Sequence, residues 1–118
     1  MAYKSFEELE VWKKACDLSI GIYQLLKDCR DYGLRDQMTR SAVSIASNIA
    51  EGAERSSDAE FVRFLHIAKG SAAELRTQIY IAQRIDMFSE EQGKKLIEQL
   101  MIISKQLHSL IVYLKPKI

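Results

Sequence analysis

Apolar side chains recur along this chain at alternating steps of three and four, the spacing at which one face of an α-helix returns to the same side. The cleanest run is Leu96, Leu100, Ile103, Leu107, Leu110 and Leu114, which predicts a helix over about residues 90–114 that Pro116 brings to an end. Upstream, Phe61, Phe64/Leu65, Ala68, Ala72, Leu75, Ile79 and Ala82 predict a helix over about 58–84. Met38, Ala42, Ile45, Ile49 and Ala53 predict one over about 35–55. The first helix is expected over about 6–30 and carries two adjacent seams. One is Leu9, Trp12, Cys16, Tyr23 and Leu26; the other is Val11, Ala15, Leu18, Ile22 and Leu25. So broad an apolar face exceeds one coiled-coil contact and predicts packing on two sides.

Start signals support this division. Ser5 with Glu8, Ser57 with Glu60 and Ser89 with Gln92 each form a Ser-x-x-Glu/Gln box, in which the hydroxyl and the longer side chain satisfy each other's helix-end donors. Gly33 reads as the stop after the first helix. Four long helices with short connections make an all-α protein, and the pattern predicts an antiparallel up-down-up-down four-helix bundle occupying residues 1–118 as one domain. Helices of about 25 residues would be rods of ~37 Å, well matched in length.

Composition narrows the classes. With 47% apolar and 28% charged residues, five Gly and one Pro, disorder and most all-β folds are excluded. No apolar run approaches the ~18 residues of a membrane span, and the acidic opening does not resemble a signal peptide, so a cytoplasmic protein without membrane contact is expected. Cys16 and Cys29, with only His66 and His108 beside them, support neither a zinc site nor a disulfide framework, and both cysteines are expected on the first helix. The net charge is +1, but the halves differ: residues 1–60 hold eight basic and eleven acidic side chains, residues 61–118 nine and five. An anion-binding surface would therefore draw mainly on the second half.

Two segments depart from ordinary bundle composition. The second helix contains the small-residue run Arg40 to Gly52, and the third answers with Ala68, Lys69, Gly70, Ser71, Ala72 and Ala73. Gly inside a helix costs about 1 kcal/mol relative to Ala, so close approach of these helices, with Gly52 and Gly70 giving clearance, is the simplest account. On the opposite side of the second helix, Gln37, Ser41, Ser44, Asn48 and Glu51 form a polar stripe, read as a solvated face or one hydrogen-bonded to a neighbouring helix.

At these residues the chain resembles a known family. The run from Arg40 through Ser44, Asn48, Glu51 and Gly52, followed by Phe64 through Gly70, Ser71 and Glu74, is similar to the signature of the four-helix-bundle proteins encoded in intervening sequences of bacterial 23S rRNA genes. Phe6, Leu9, Val11, Trp12, Ala15 and Leu18 extend the likeness over nearly the whole chain, although Lys69 stands where relatives often carry Arg. A related branch comprises the accessory variability proteins of diversity-generating retroelements. These are ring-shaped homopentamers whose basic surface binds nucleic acid and which partner a reverse transcriptase. The resemblance implies a ring here, probed against the sequence by the second apolar seam of the first helix, which a ring protomer would bury against its neighbour.

Cyclic assembly would also multiply any stripe of charge. On the third helix, Arg63, His66, Lys69, Arg76, Tyr80 and Arg84 fall at spacings compatible with one stripe or its edges. Its cations can neutralise phosphates, and Tyr80 can stack on an exposed base. The alternative is that Tyr80 is partly core and the charges only solvate an outer face. Lys105, Lys115 and Lys117 form a weaker basic tail. No nucleophile sits beside a base, no phosphate loop is present and no cofactor is implied, so the expectation is a protein that is not an enzyme. Two functions follow: an oligomeric accessory protein binding structured RNA or an RNA/DNA hybrid, or a protein-interaction scaffold that binds no nucleic acid.

Overall fold

The computed structural model describes residues 5–118, which form α1 (Glu10–Leu25), α2 (Tyr32–Ala53), α3 (Asp58–Arg84) and α4 (Glu90–Leu114), with 3-10 turns at Phe6–Glu8 and Lys115–Lys117. No strand occurs among the described residues. Serines set the starts of the last two helices where the sequence places them. Ser89 Oγ accepts from the Gln92 N–H at 3.1 Å while Gln92 Oε1 accepts from the Ser89 N–H at 3.0 Å, closing the reciprocal box. Ser57 Oγ accepts from the Glu60 N–H at 3.2 Å, but the Glu60 carboxylate turns outward to Arg63 Nε at 2.7 Å. That hydrogen bond holds the Glu60 carboxyl below the usual carboxylate range.

The first two helices depart from expectation. Ser5 makes no side-chain cap; the segment after it forms only the 3-10 turn Phe6–Glu8, and α1 begins at Glu10 with Leu9 as its N-cap. Nor does α1 reach residue 30. It ends at Leu25, the Leu26 N–H still bonds to the Ile22 carbonyl, and Cys29 lies in the connection beyond rather than on the helix. Gly33 is not a stop but the second residue of α2, because Asp31 Oδ1 accepts from the Leu34 N–H at 3.1 Å and starts that helix earlier than about residue 35. The real left-handed stop is elsewhere. Asp86 (φ 62°) follows α3, with the Met87 N–H on the Ala82 carbonyl at 2.9 Å and the Asp86 N–H on the Gln83 carbonyl at 3.2 Å, a Schellman closure without glycine.

Each helix packs on its chain neighbour, and α1 also packs on α4, so the four surround one core and the molecule measures 45 × 20 × 18 Å. Leu18 and Ile22 of α1, Met38, Ile45 and Ile49 of α2, Leu65, Leu75 and Ile79 of α3, and Leu100, Ile103 and Leu107 of α4 are all but completely withdrawn from solvent. Burying each such side chain stabilises the fold by about 1.5–3 kcal/mol. No helix among the described residues is long and apolar enough to cross a membrane.

The most extensive contact is between α2 and α3, joined by the short connection 54–57. Gly52 makes it possible: a Cβ there would stand 2.7 Å from Phe64 Cβ and 3.0 Å from Phe61 Cδ1. Farther along, Ser44 Oγ and Ser71 Oγ share a 2.9 Å hydrogen bond, and Asn48 Nδ2 donates to the Ser44 carbonyl at 2.8 Å and to Ser44 Oγ at 2.9 Å. Ser44 and Asn48 of the polar stripe thus belong to the α3-facing flank and are not opposite it. Gly70 gives no clearance. It is exposed, with nothing within 4 Å of the position a Cβ would take.

Candidate functional site

Along α3, Lys69, Arg76 and Tyr80 stand at i, i+7 and i+11, so at ~100° per residue they share one flank of the helix. That flank borders α4. There Lys69, Arg76, Thr77, Tyr80 and Ser104 of α4 surround a cleft of about 430 Å³ floored by Ala72 and Ala73. The hollow exists because Ala72 and Ala73 are short while longer side chains stand around them. Lys69 and Arg76 form no ion pair among the described residues, where the salt bridges are Arg55–Glu51 and Arg63–Glu60. Their charges are therefore directed to solvent and the cleft.

Tyr80 is 45% exposed, so it is a surface ring rather than part of the core. The Arg76 guanidinium carbon lies 5.9 Å from its centroid, at the outer edge of cation–π range. The other pairs of this kind are closer: Arg35 on Tyr32 at 4.7 Å, Lys117 on Tyr113 at 4.6 Å. Thr77 Oγ1 donates to the Ala73 carbonyl at 3.0 Å, leaving its oxygen free to accept.

The remainder of the expected stripe divides. His66 and Arg84 are exposed on α3 but do not line the cleft. Arg63 is drawn away, bonded to Glu60 and stacked 4.6 Å from the Phe64 ring, which Arg55 approaches at 4.9 Å. Lys117 is likewise occupied on Tyr113. Of the signature residues, Ser44, Asn48, Gly52 and Ser71 build the α2–α3 seam, Glu51 pairs with Arg55 one turn on at 3.0 Å, and Arg40, Gly70 and Glu74 are exposed. Ser104 was not among the expected residues, since nothing in its local sequence signals which α4 flank meets α3.

A second hollow lies between α1 and α2. Phe6, Trp12, Cys16, Ile20 and Tyr23 face Val43, Ala46, Ser47 and Ala50 across an open apolar groove of about 510 Å³. Phe6 meets Trp12 edge to face at 5.2 Å, and Ile20, Tyr23 and Val43 remain 55, 56 and 41% exposed. The two seams of the first helix separate along most of its length, Val11, Ala15, Leu18 and Ile22 entering the core and Trp12, Cys16 and Tyr23 bordering the groove, but they exchange at its end, where Leu26 is buried and Leu25 only partly so. Ser19 Oγ is buried at its edge without a hydrogen-bond partner, and desolvation, with the Asp17 charge adding to it, pushes the Cys16 thiol up.

Comparison with known proteins agrees with this architecture. The solved structure of a protein of unknown function from the S23 ribosomal protein family of Bacteroides thetaiotaomicron VPI-5482 superposes with a TM-score of 0.81 at 28% identity, covering 86% of this chain and 97% of that one. No protein with a curated description matches. Residues 7–109 match the 23S rRNA-intervening sequence protein family, which takes in all four helices except the last turn of α4, and the chain belongs to that family.

Proposed function

We propose that this protein is a non-enzymatic, oligomeric accessory protein of the cytoplasm that binds structured RNA or an RNA/DNA hybrid through the α3–α4 flank. One observation carries the reading: Lys69 and Arg76, with no carboxylate paired to either among the described residues, border the same cleft as an exposed aromatic ring. Two free cations about two turns apart on one flank suit backbone phosphates, whose neutralisation releases counterions. In this reading the helices run up-down-up-down and copies assemble into a ring, a homopentamer as the family resemblance implies, which repeats the basic flank around one axis. The α1–α2 groove supplies apolar surface for a neighbouring copy, and a reverse transcriptase is the class of protein partner that the resemblance suggests.

The test is a titration of the purified protein, its assembly mass determined, against a fluorescent structured RNA over a salt series. The expected result is a linear fall of log affinity with log salt, and a slope shallower by about 1 for each of Lys69→Gln and Arg76→Gln. Absence of binding at ~50 mM salt, where electrostatic association is strong, rejects the reading. The groove favours a second one, a scaffold that holds another polypeptide and no nucleic acid. It predicts indifference to Lys69→Glu with Arg76→Glu, and loss of partner capture on Ile20→Ser.

A further inference from the structure

We infer that the α3–α4 cleft receives a single unpaired nucleotide, its base stacked on Tyr80 and its phosphate between Lys69 and Arg76, so that the RNA recognised is single-stranded or looped rather than continuous duplex. This rests on the RNA-binding reading above and narrows its substrate to RNA with unpaired segments, setting aside a continuous RNA/DNA hybrid. Phosphate contacts alone require only cations within reach; they do not require a hollow with an aromatic wall. Here the cations stand at the border of a depression of about 430 Å³, within the ~300–1,000 Å³ range of small-molecule sites. That space admits one flat base with its sugar, whereas bases stacked within a duplex present no free face to a ring.

Tyr80 is suited to the task in a way that Tyr32 and Tyr113 are not, and unlike the exposed Tyr23 it stands beside Lys69 and Arg76 in one cleft. Tyr32 and Tyr113 each carry a cation within 5 Å of the ring centroid, but Arg76 stands 5.9 Å from Tyr80 and leaves the ring open to a closer stacking partner. The ring is 45% exposed and makes no contribution to the buried core. Ala72 and Ala73 are short enough to leave room for a base to lie over them, and the Thr77 oxygen and Ser104 hydroxyl supply polar edges. A stacking platform flanked by cations is the arrangement by which single strands are held with little sequence preference.

The experiment compares a single-stranded RNA of mixed sequence with the same RNA annealed to its complement, by fluorescence anisotropy at one low salt concentration, for the unmodified protein, Tyr80→Ala and Tyr80→Phe. Tyr80→Ala is expected to weaken single-strand binding about tenfold, the scale of losing one stacked base, and to change duplex binding less than twofold. Tyr80→Phe keeps the ring and should retain single-strand affinity. Circular dichroism of Tyr80→Ala at the strength of the unmodified protein establishes that the helices are intact. Salt-sensitive binding that is equal for the two RNAs and indifferent to Tyr80→Ala overturns the nucleotide cleft while leaving the RNA reading standing. Binding of neither RNA overturns both.

Discussion

The two flanks of α2 are built from the same small residues and end in opposite states. On one, Ser44, Asn48 and Gly52 let α3 approach until hydroxyls bond across the seam and no Cβ fits at residue 52. On the other, Ala46, Ser47 and Ala50 face α1 across an open hollow. The difference lies in what each neighbour presents. Toward α2, α3 offers Phe61, Phe64 and Ser71, a mixture of wedge and hydroxyl that fills the space small residues leave. From α1 come Trp12, Ile20 and Tyr23, apolar side chains that line the groove without filling it, so the space persists. Small residues therefore permit close packing without producing it; a complementary partner decides whether they yield a seam or a binding surface.

Substitutions can separate these states. The largest effect is expected from Gly52→Ala, since the new methyl would meet Phe64 Cβ, which is fixed to its backbone and cannot rotate away. A loss of about 2 kcal/mol in chemical denaturation is expected, overpacking outweighing the gain in helix propensity. An unchanged midpoint would mean that the seam is looser than its geometry. Gly70→Ala should act in the other direction, raising stability by up to about 1 kcal/mol, because only propensity changes where nothing lies near. If the same variant lowers the assembly mass in sedimentation, a second copy reaches the α3 surface at that point. The smallest effect on folding belongs to Ile20→Ser in the groove, within about 0.5 kcal/mol because the side chain is already 55% exposed. Its expected readout is a reduced assembly mass, and an unaltered mass would exclude the groove as the seat of a neighbouring copy.

Much of this was legible before any coordinates. The starts of α3 and α4 were, because Ser57 and Ser89 each stand three residues before a Glu or Gln at the head of a long periodic run. The junction of α1 and α2 was not: Asp31 and Gly33 both punctuate, and the side-chain bond to the Leu34 N–H, a matter of rotamer, decided for the aspartate. Helical phase likewise grouped Lys69, Arg76 and Tyr80, but phase measures rotation about one axis only. Which neighbour each flank meets depends on the arrangement of the other helices, so the expected hydrogen bonding of the polar stripe to a neighbouring helix is found at Ser44, but on the α3 side rather than opposite it, and nothing in the sequence signals Ser104. Gly70 shows the same gap. A glycine inside a helix signals that something is gained there, not whether the gain lies within the chain.

The connection 54–57 joins the two helices with the broadest shared interface, and closing so short a loop costs little chain entropy. The α2–α3 pair is thus the natural nucleus of folding, with native contacts available before any distant part of the chain has returned. The last step falls to α1, the shortest helix, whose contact with α4 spans almost the whole sequence. Order of assembly becomes order of opening: the amide protons of α1 are expected to exchange from a partly unfolded form in which α2 and α3 stay paired, and native-state hydrogen exchange with equal protection in all four helices would refute this. The groove beside α1 is bordered by the element that leaves first, so whatever seats there also fastens the bundle shut.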